Sequence, residues 1–78
     1  MNQTPACTVI DGRGLEPPEP FVRTMAALDA MGAGESVLLL LPREPHPLYQ
    51  ALERQAFLHQ TQRTVDGVFE IRIWRKTD

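Results

Sequence analysis

Seven side chains in two short stretches have the chemistry to act on something. Asp11, Arg13, Glu16 and Glu19 lie in the first, and Arg43, Glu44 and His46 in the second. Carboxylates beside an imidazole can form an acid–base pair or hold a cation. The same residues can also do nothing more than pair with one another. Arg13 or Arg43 could bridge to Glu16, Glu19 or Glu44, and surface pairs of that kind contribute little stability. One histidine among carboxylates at no motif spacing is a weak metal signal. We therefore take Arg13, Glu16, Glu19, Arg43, Glu44 and His46 as candidate ligand-binding residues. No catalytic residue, metal ligand set or cofactor is assigned. His59 falls in a polar run and reads as surface decoration. Cys7 is the single cysteine; at the start of a β-rich run it reads as a small apolar packing residue. It also stands away from any helix N-terminus that could stabilise a thiolate.

The elements that position these residues follow from proline, glycine and apolar spacing. Cys7 to Ile10 is β-rich, and Asp11-Gly12-Arg13-Gly14 supplies a tight turn. Pro18 suits the first position of a helix running to about Met31, with Pro17 near the cap and Pro20 in the first turn. Glu16 and Glu19 then favour the positive end of the helix dipole. Phe21, Val22, Met25, Leu28 and Met31 form its apolar stripe, and Arg23, Thr24 and Asp29 fall off it. Gly32 and Gly34 offer a left-handed stop. Three prolines and two glutamates also exclude a phosphate cradle at this helix, because the free N–H groups such a site needs are missing.

Ser36 to Leu41 is a strand, apolar throughout from Val37, which fits burial on both faces. Pro42 ends it, and the prolines to Pro47 hold the loop extended. A second helix runs from Pro47 to about Ala56, with Leu48, Ala51 and Leu52 on its stripe and Tyr49 beside it. Phe57 to Val65 is a polar third strand, suited to a sheet edge. Asp66-Gly67 is a hairpin turn. Val68 to Arg75 alternates Phe69, Ile71 and Ile73 with Glu70, Arg72 and Trp74, as a half-buried strand does. The predicted order is β-α-β-α-β-β: an α/β two-layer sandwich, two helices on one face of a four-stranded mixed sheet, with a right-handed βαβ unit at its start. Loops at the carboxyl ends of its first two strands would bring the candidate residues onto one proline-stiffened rim.

Asp11 to Pro20 resembles the opening of the TusA/SirA-like sulfur-carrier family, a strand followed by Gly-Leu-x-Cys-Pro-x-Pro and a long helix. The likeness continues through Met31 to Glu35 into the second strand. It is closer still to a sister family of small domains carrying Gly-Leu-Glu-Pro-Pro-Glu-Pro and, later, Arg-Glu-Pro-x-Pro-Leu-Tyr, here Arg43 to Tyr49. The resemblance implies the same sandwich with strand order 1-2-4-3, which puts the polar third strand at an edge. It also places the carrier's persulfide cysteine on Pro17, which has no nucleophile. The family's principal activity therefore does not carry over, and a carrier role through Cys7 is the remaining, disfavoured form of it.

A two-layer fold leaves one sheet face bare, yet the second strand is apolar on both sides. Either Leu38 and Leu40, or Val37, Leu39 and Leu41, should lie bare near Trp74. We take Leu38, Leu39, Leu40 and Trp74 as a candidate interaction surface. At 78 residues the chain is one domain whose core supplies only about 3–5 kcal/mol. Self-association or an unidentified protein partner fits both facts. A net charge of −2, with Lys and Arg scattered, gives no case for nucleic acid. The first residues lack the basic and apolar regions of a signal peptide, and no run is long enough for a bilayer. The expectation is a cytoplasmic, non-enzymatic binding or interaction module with no membrane or cofactor requirement; the alternative is an accessory protein that binds a ligand or metal through the rim around His46.

Overall fold

The computed structural model describes residues 7–76. The expected loose tail over residues 1–6 lies outside them. The elements are β1 (Cys7–Asp11), α1 (Glu19–Ala30), β2 (Ser36–Leu41), α2 (His46–Arg54), β3 (Phe57–Arg63) and β4 (Phe69–Arg75). They form one four-stranded sheet in the order β1-β2-β4-β3. β1 runs parallel to β2, and β4 runs antiparallel to both β2 and β3. α1 packs over β1 and β2, and α2 over β3. The polar strand β3 is an edge, as its pattern required.

Strand alternation builds the core. Val37, Leu39 and Leu41 on β2 and Ile71 and Ile73 on β4 are buried with Phe57 of β3. Leu28 of α1 and Leu48 and Leu52 of α2 close the cluster from above. Leu39 is 0% exposed. It therefore belongs to the covered face and forms no part of an interaction surface. The uninterrupted apolar run of β2 could not reveal which of its two faces is covered.

The helices start and stop somewhat differently from the sequence reading. Pro18 is the cap of α1 and Glu19 its first residue, with Pro20 second; the Pro17–Pro18 peptide is cis. Val22 is exposed and Thr24 is fully buried. The covered stripe is thus rotated toward Thr24, Leu28 and Met31, away from Phe21 and Val22. Thr24 is tolerated there because its hydroxyl donates to the Pro20 carbonyl at 2.7 Å. α1 ends at Met31 in extended geometry, and the left-handed glycine is Gly34, in the turn before β2. Gly32 donates its N–H to Glu35 Oε1 at 2.6 Å. No basic residue stands in the last turn of α1, so Arg75 of β4 supplies the cation, donating to the Leu28 and Met31 carbonyls at 3.3 and 3.4 Å. α2 begins one residue early, at His46, and Ala56 follows it at φ +63°. In the β3–β4 hairpin Gly67 takes φ +83°, and Val65, expected in the strand, is fully exposed in the loop.

Candidate functional site

The loops leaving β1 and β2 do meet, and between them lies a cleft of about 530 Å³. Their approach depends on Gly12. Its N–H donates to the Leu40 carbonyl at 2.8 Å, and a side chain there would come within 2.7 Å of Leu41 Cδ2. The chain then turns, with Leu15 N–H donating to the Gly12 carbonyl at 3.2 Å and Glu19 N–H to the Glu16 carbonyl at 2.9 Å. On the other side Leu48 and Tyr49 both donate to the Pro45 carbonyl, at 3.0 and 3.2 Å. Leu39 and Leu41 form the floor, Leu15 and Phe21 part of one wall, and Leu48 part of the other. Pro17, Pro18, Pro20, Pro42, Pro45 and Pro47 complete the lining, six of the seven prolines in the chain. The walls are therefore apolar, poor in backbone donors and conformationally fixed.

Two charged residues, Arg43 and Glu44, are part of the lining, and both are exposed. Glu44 is engaged on its far side: Oε2 accepts from the Tyr49 hydroxyl at 3.1 Å, and Oε1 lies 3.6 Å from His46 Nε2. Tyr49 also bonds Thr61 of β3 through its hydroxyl. Its ring stacks on His59 at 4.4 Å and receives His46 edge-on at 5.9 Å. Burial is the main cause that raises the Tyr49 pKa, so the phenol stays protonated and able to donate. Arg43 makes no ion pair or side-chain hydrogen bond among the described residues.

The uncovered sheet face is the second feature. Because Ile71 and Ile73 point to the core, Glu70, Arg72 and Trp74 point the other way. Strand register then sets three rows across the sheet. Cys7, Ser36, Trp74 and Leu58 form one; Val9, Leu38, Arg72 and Gln60 the next; Asp11, Leu40, Glu70 and Gln62 the third. Leu58, Trp74, Leu38, Val9 and Leu40 make an apolar band through all four strands. Val9 is 58% exposed and Leu58 43%.

Residues 9–75 match the family model described as an uncharacterized conserved protein, DUF2249. The chain belongs to the DUF2249 family. Its structure is similar to the crystal structure of a SirA-like protein from Desulfitobacterium hafniense. The TM-score is 0.76 and the identity 25%, over 85% of this chain and 93% of that one. Family and fold together place this DUF2249 domain in the TusA/SirA-like superfamily. No curated protein matches the sequence.

Within the DUF2249 domain the expected rim divides. Arg43 and Glu44 line the cleft, with His46 behind Glu44. Arg13 does not reach the cleft: its guanidinium is spent on Asp11, with Nε to Oδ1 and Nη2 to Oδ2 both at 2.8 Å. Those hydrogen bonds hold the Asp11 carboxyl down at about 2. Glu19 lies 3.8 Å from Arg23, one turn on, and Glu16 is exposed; neither lines the cleft. Among the described residues no three His, Cys, Asp or Glu side chains gather as a metal would need. Nor, among the described residues, is any helix long and apolar enough to cross a membrane.

Two single residues also stand differently from their sequence reading. Cys7 is exposed on the bare sheet face, where it does not pack as a core residue. His59 is half-buried against Tyr49, because odd positions of β3 face α2. That period, read from Phe57 through His59 to Thr61, was the available signal for the Tyr49 cluster. The apolar character of the cleft had its own signal, the six prolines, which a search for charged chemistry passes over.

Proposed function

We propose that this domain is a non-enzymatic interaction module that works through the bare face of its sheet and pairs there with a second copy of itself. One observation carries the reading: Val9, Leu38, Leu40, Leu58 and Trp74 form a continuous apolar band on the face that neither helix covers. Contiguous apolar surface of this kind marks an interaction site. A domain this small gains from covering it.

Charge favours a second copy as the occupant. Arg72 and Glu70 are neighbours on that face, and neither has an ion-pair partner among the described residues. A two-fold axis crossing β4 between them sets Arg72 against Glu70 of the other copy. The same axis sets Leu38 against Leu40. Such self-matching is what a two-fold interface requires. Sulfur relay is disfavoured, because proline occupies position 17, where the resemblance puts the carrier's cysteine.

Trp74 is the only tryptophan and reports on the face directly. On dilution its emission should shift to longer wavelength as the face is wetted. Leu38→Glu should give the wetted spectrum at every concentration while keeping native circular dichroism. Emission that is independent of concentration and unchanged by Leu38→Glu would sink the proposal.

A further inference from the structure

The cleft between the β1–α1 and β2–α2 loops is a separate feature, on a different surface from the sheet face. We infer that it binds a small organic acid, an aliphatic or aromatic body bearing one carboxylate, with Arg43 as the counter-ion. Three observations lead there.

The first is capacity. About 530 Å³ lies within the range of small-molecule sites, and its floor of Leu39 and Leu41 reaches the core. The second is the wall. Six prolines, Leu15, Phe21 and Leu48 offer contact to an apolar body and little hydrogen bonding. The proline-fixed loops are held open before any ligand arrives, which reduces the ordering needed on binding. Few backbone amides at the two helix starts are left to recognise the acid group. Prolines occupy the first turns of both helices, and the Leu48 and Tyr49 N–H groups are satisfied by Pro45.

The third observation is the charge balance. Arg43 is the cation on the lining and makes no ion pair among the described residues. Glu44, the anion beside it, is drawn toward Tyr49 and His46. An acid group entering the cleft therefore meets one unoccupied guanidinium, whose planar fork matches a carboxylate. An amine would find Glu44 already accepting, and an alcohol would leave Arg43 unused.

Octanoate, octanol and octylamine test this with a common tail. Titrated into the full chain and followed by amide chemical shifts, octanoate should saturate and perturb Leu15, Phe21, Arg43 and Leu48 together. It should bind about tenfold more tightly than octanol, and octylamine should bind most weakly. Arg43→Gln should bring octanoate to the affinity of octanol while leaving octanol binding unchanged. Phe21→Ser, at a partly exposed wall residue, should weaken both. Equal binding of the acid and the alcohol, an acid preference that survives Arg43→Gln, or shifts confined to other surfaces would each overturn the inference. Because these readouts do not depend on the sheet face, a monomeric chain that still binds octanoate would separate this site from the self-association proposal.

Discussion

Replacing Gly12 by alanine should destabilise the domain, although Gly12 has no unusual backbone angle. The new Cβ would stand 2.7 Å from Leu41 Cδ2, 3.1 Å from the Leu40 carbonyl oxygen and 3.4 Å from Pro20 Cβ. Carbon–carbon contacts are comfortable at about 3.5–4.0 Å, so the first is short by about 1 Å. Leu41 is buried on the cleft floor, so its Cδ2 can give only by turning out toward the cleft and loosening its packing in the core. The carbonyl of Leu40 cannot retreat either without stretching its 2.8 Å hydrogen bond from Gly12 N–H. Overpacking of this kind costs about 1–3 kcal/mol. Alanine restricts the unfolded chain and offsets about 0.4–1 kcal/mol of that. The net loss should be about 1–2 kcal/mol, or a fall in Tm of roughly 5–15 °C for a chain of this size. Urea unfolding should show a lower midpoint with an unchanged slope. Paired with Leu41→Ala, which clears the space, Gly12→Ala should lose most of its effect, giving a coupling above about 0.5 kcal/mol. A Gly12→Ala variant as stable as the parent, or strict additivity with Leu41→Ala, would mean that the close approach at Gly12 carries no cost.

Three further outcomes are expected. Tyr49→Phe removes the hydroxyl shared by Thr61 and Glu44 and should cost about 0.5–1.5 kcal/mol in urea unfolding, with most of the loss absent in a Thr61→Val background. Ala56→Gly relieves a left-handed backbone at φ +63° and should stabilise by about 1 kcal/mol, read as a higher thermal midpoint. Arg13→Gln should raise the Asp11 pKa from about 2 toward its ordinary 3.8 in a carboxyl NMR titration. The sign of the linked stability follows. In the folded state Asp11 holds its proton less tightly than in the unfolded state. Its contribution is therefore full above about pH 3.8 and is lost as pH falls toward 2, and the variant should lack that slope.

The fold was legible because each element carried its own punctuation. Prolines mark the starts of both helices, Asp66-Gly67 marks the hairpin, and the alternation of Phe69 to Trp74 states which side of β4 is covered. β2 carried no such statement: five consecutive apolar residues fit either face, and only register against β4 separates Leu38 and Leu40 from Leu39. The rotation of α1 was hidden because Thr24 is polar by type, and its burial depends on a local bond to the Pro20 carbonyl. The site was less legible than the fold. Charged residues in two neighbouring loops were expected to converge, yet side-chain direction is set by local partners. Asp11 holds Arg13 on the outer surface, Glu19 lies nearest Arg23, and the cleft between the loops is lined mainly by proline rings and apolar side chains.

The bare sheet face is proposed as the surface through which two copies pair. The most direct measurement is the solution mass by light scattering over a range of concentrations, for the parent chain and for Leu38→Glu. The chain mass is 8.8 kDa. The parent should approach twice that value at high concentration, and Leu38→Glu should stay at 8.8 kDa with unchanged far-ultraviolet circular dichroism. A parent that remains at 8.8 kDa throughout, or a Leu38→Glu variant that still doubles, would mean that the bare sheet face does not join two copies.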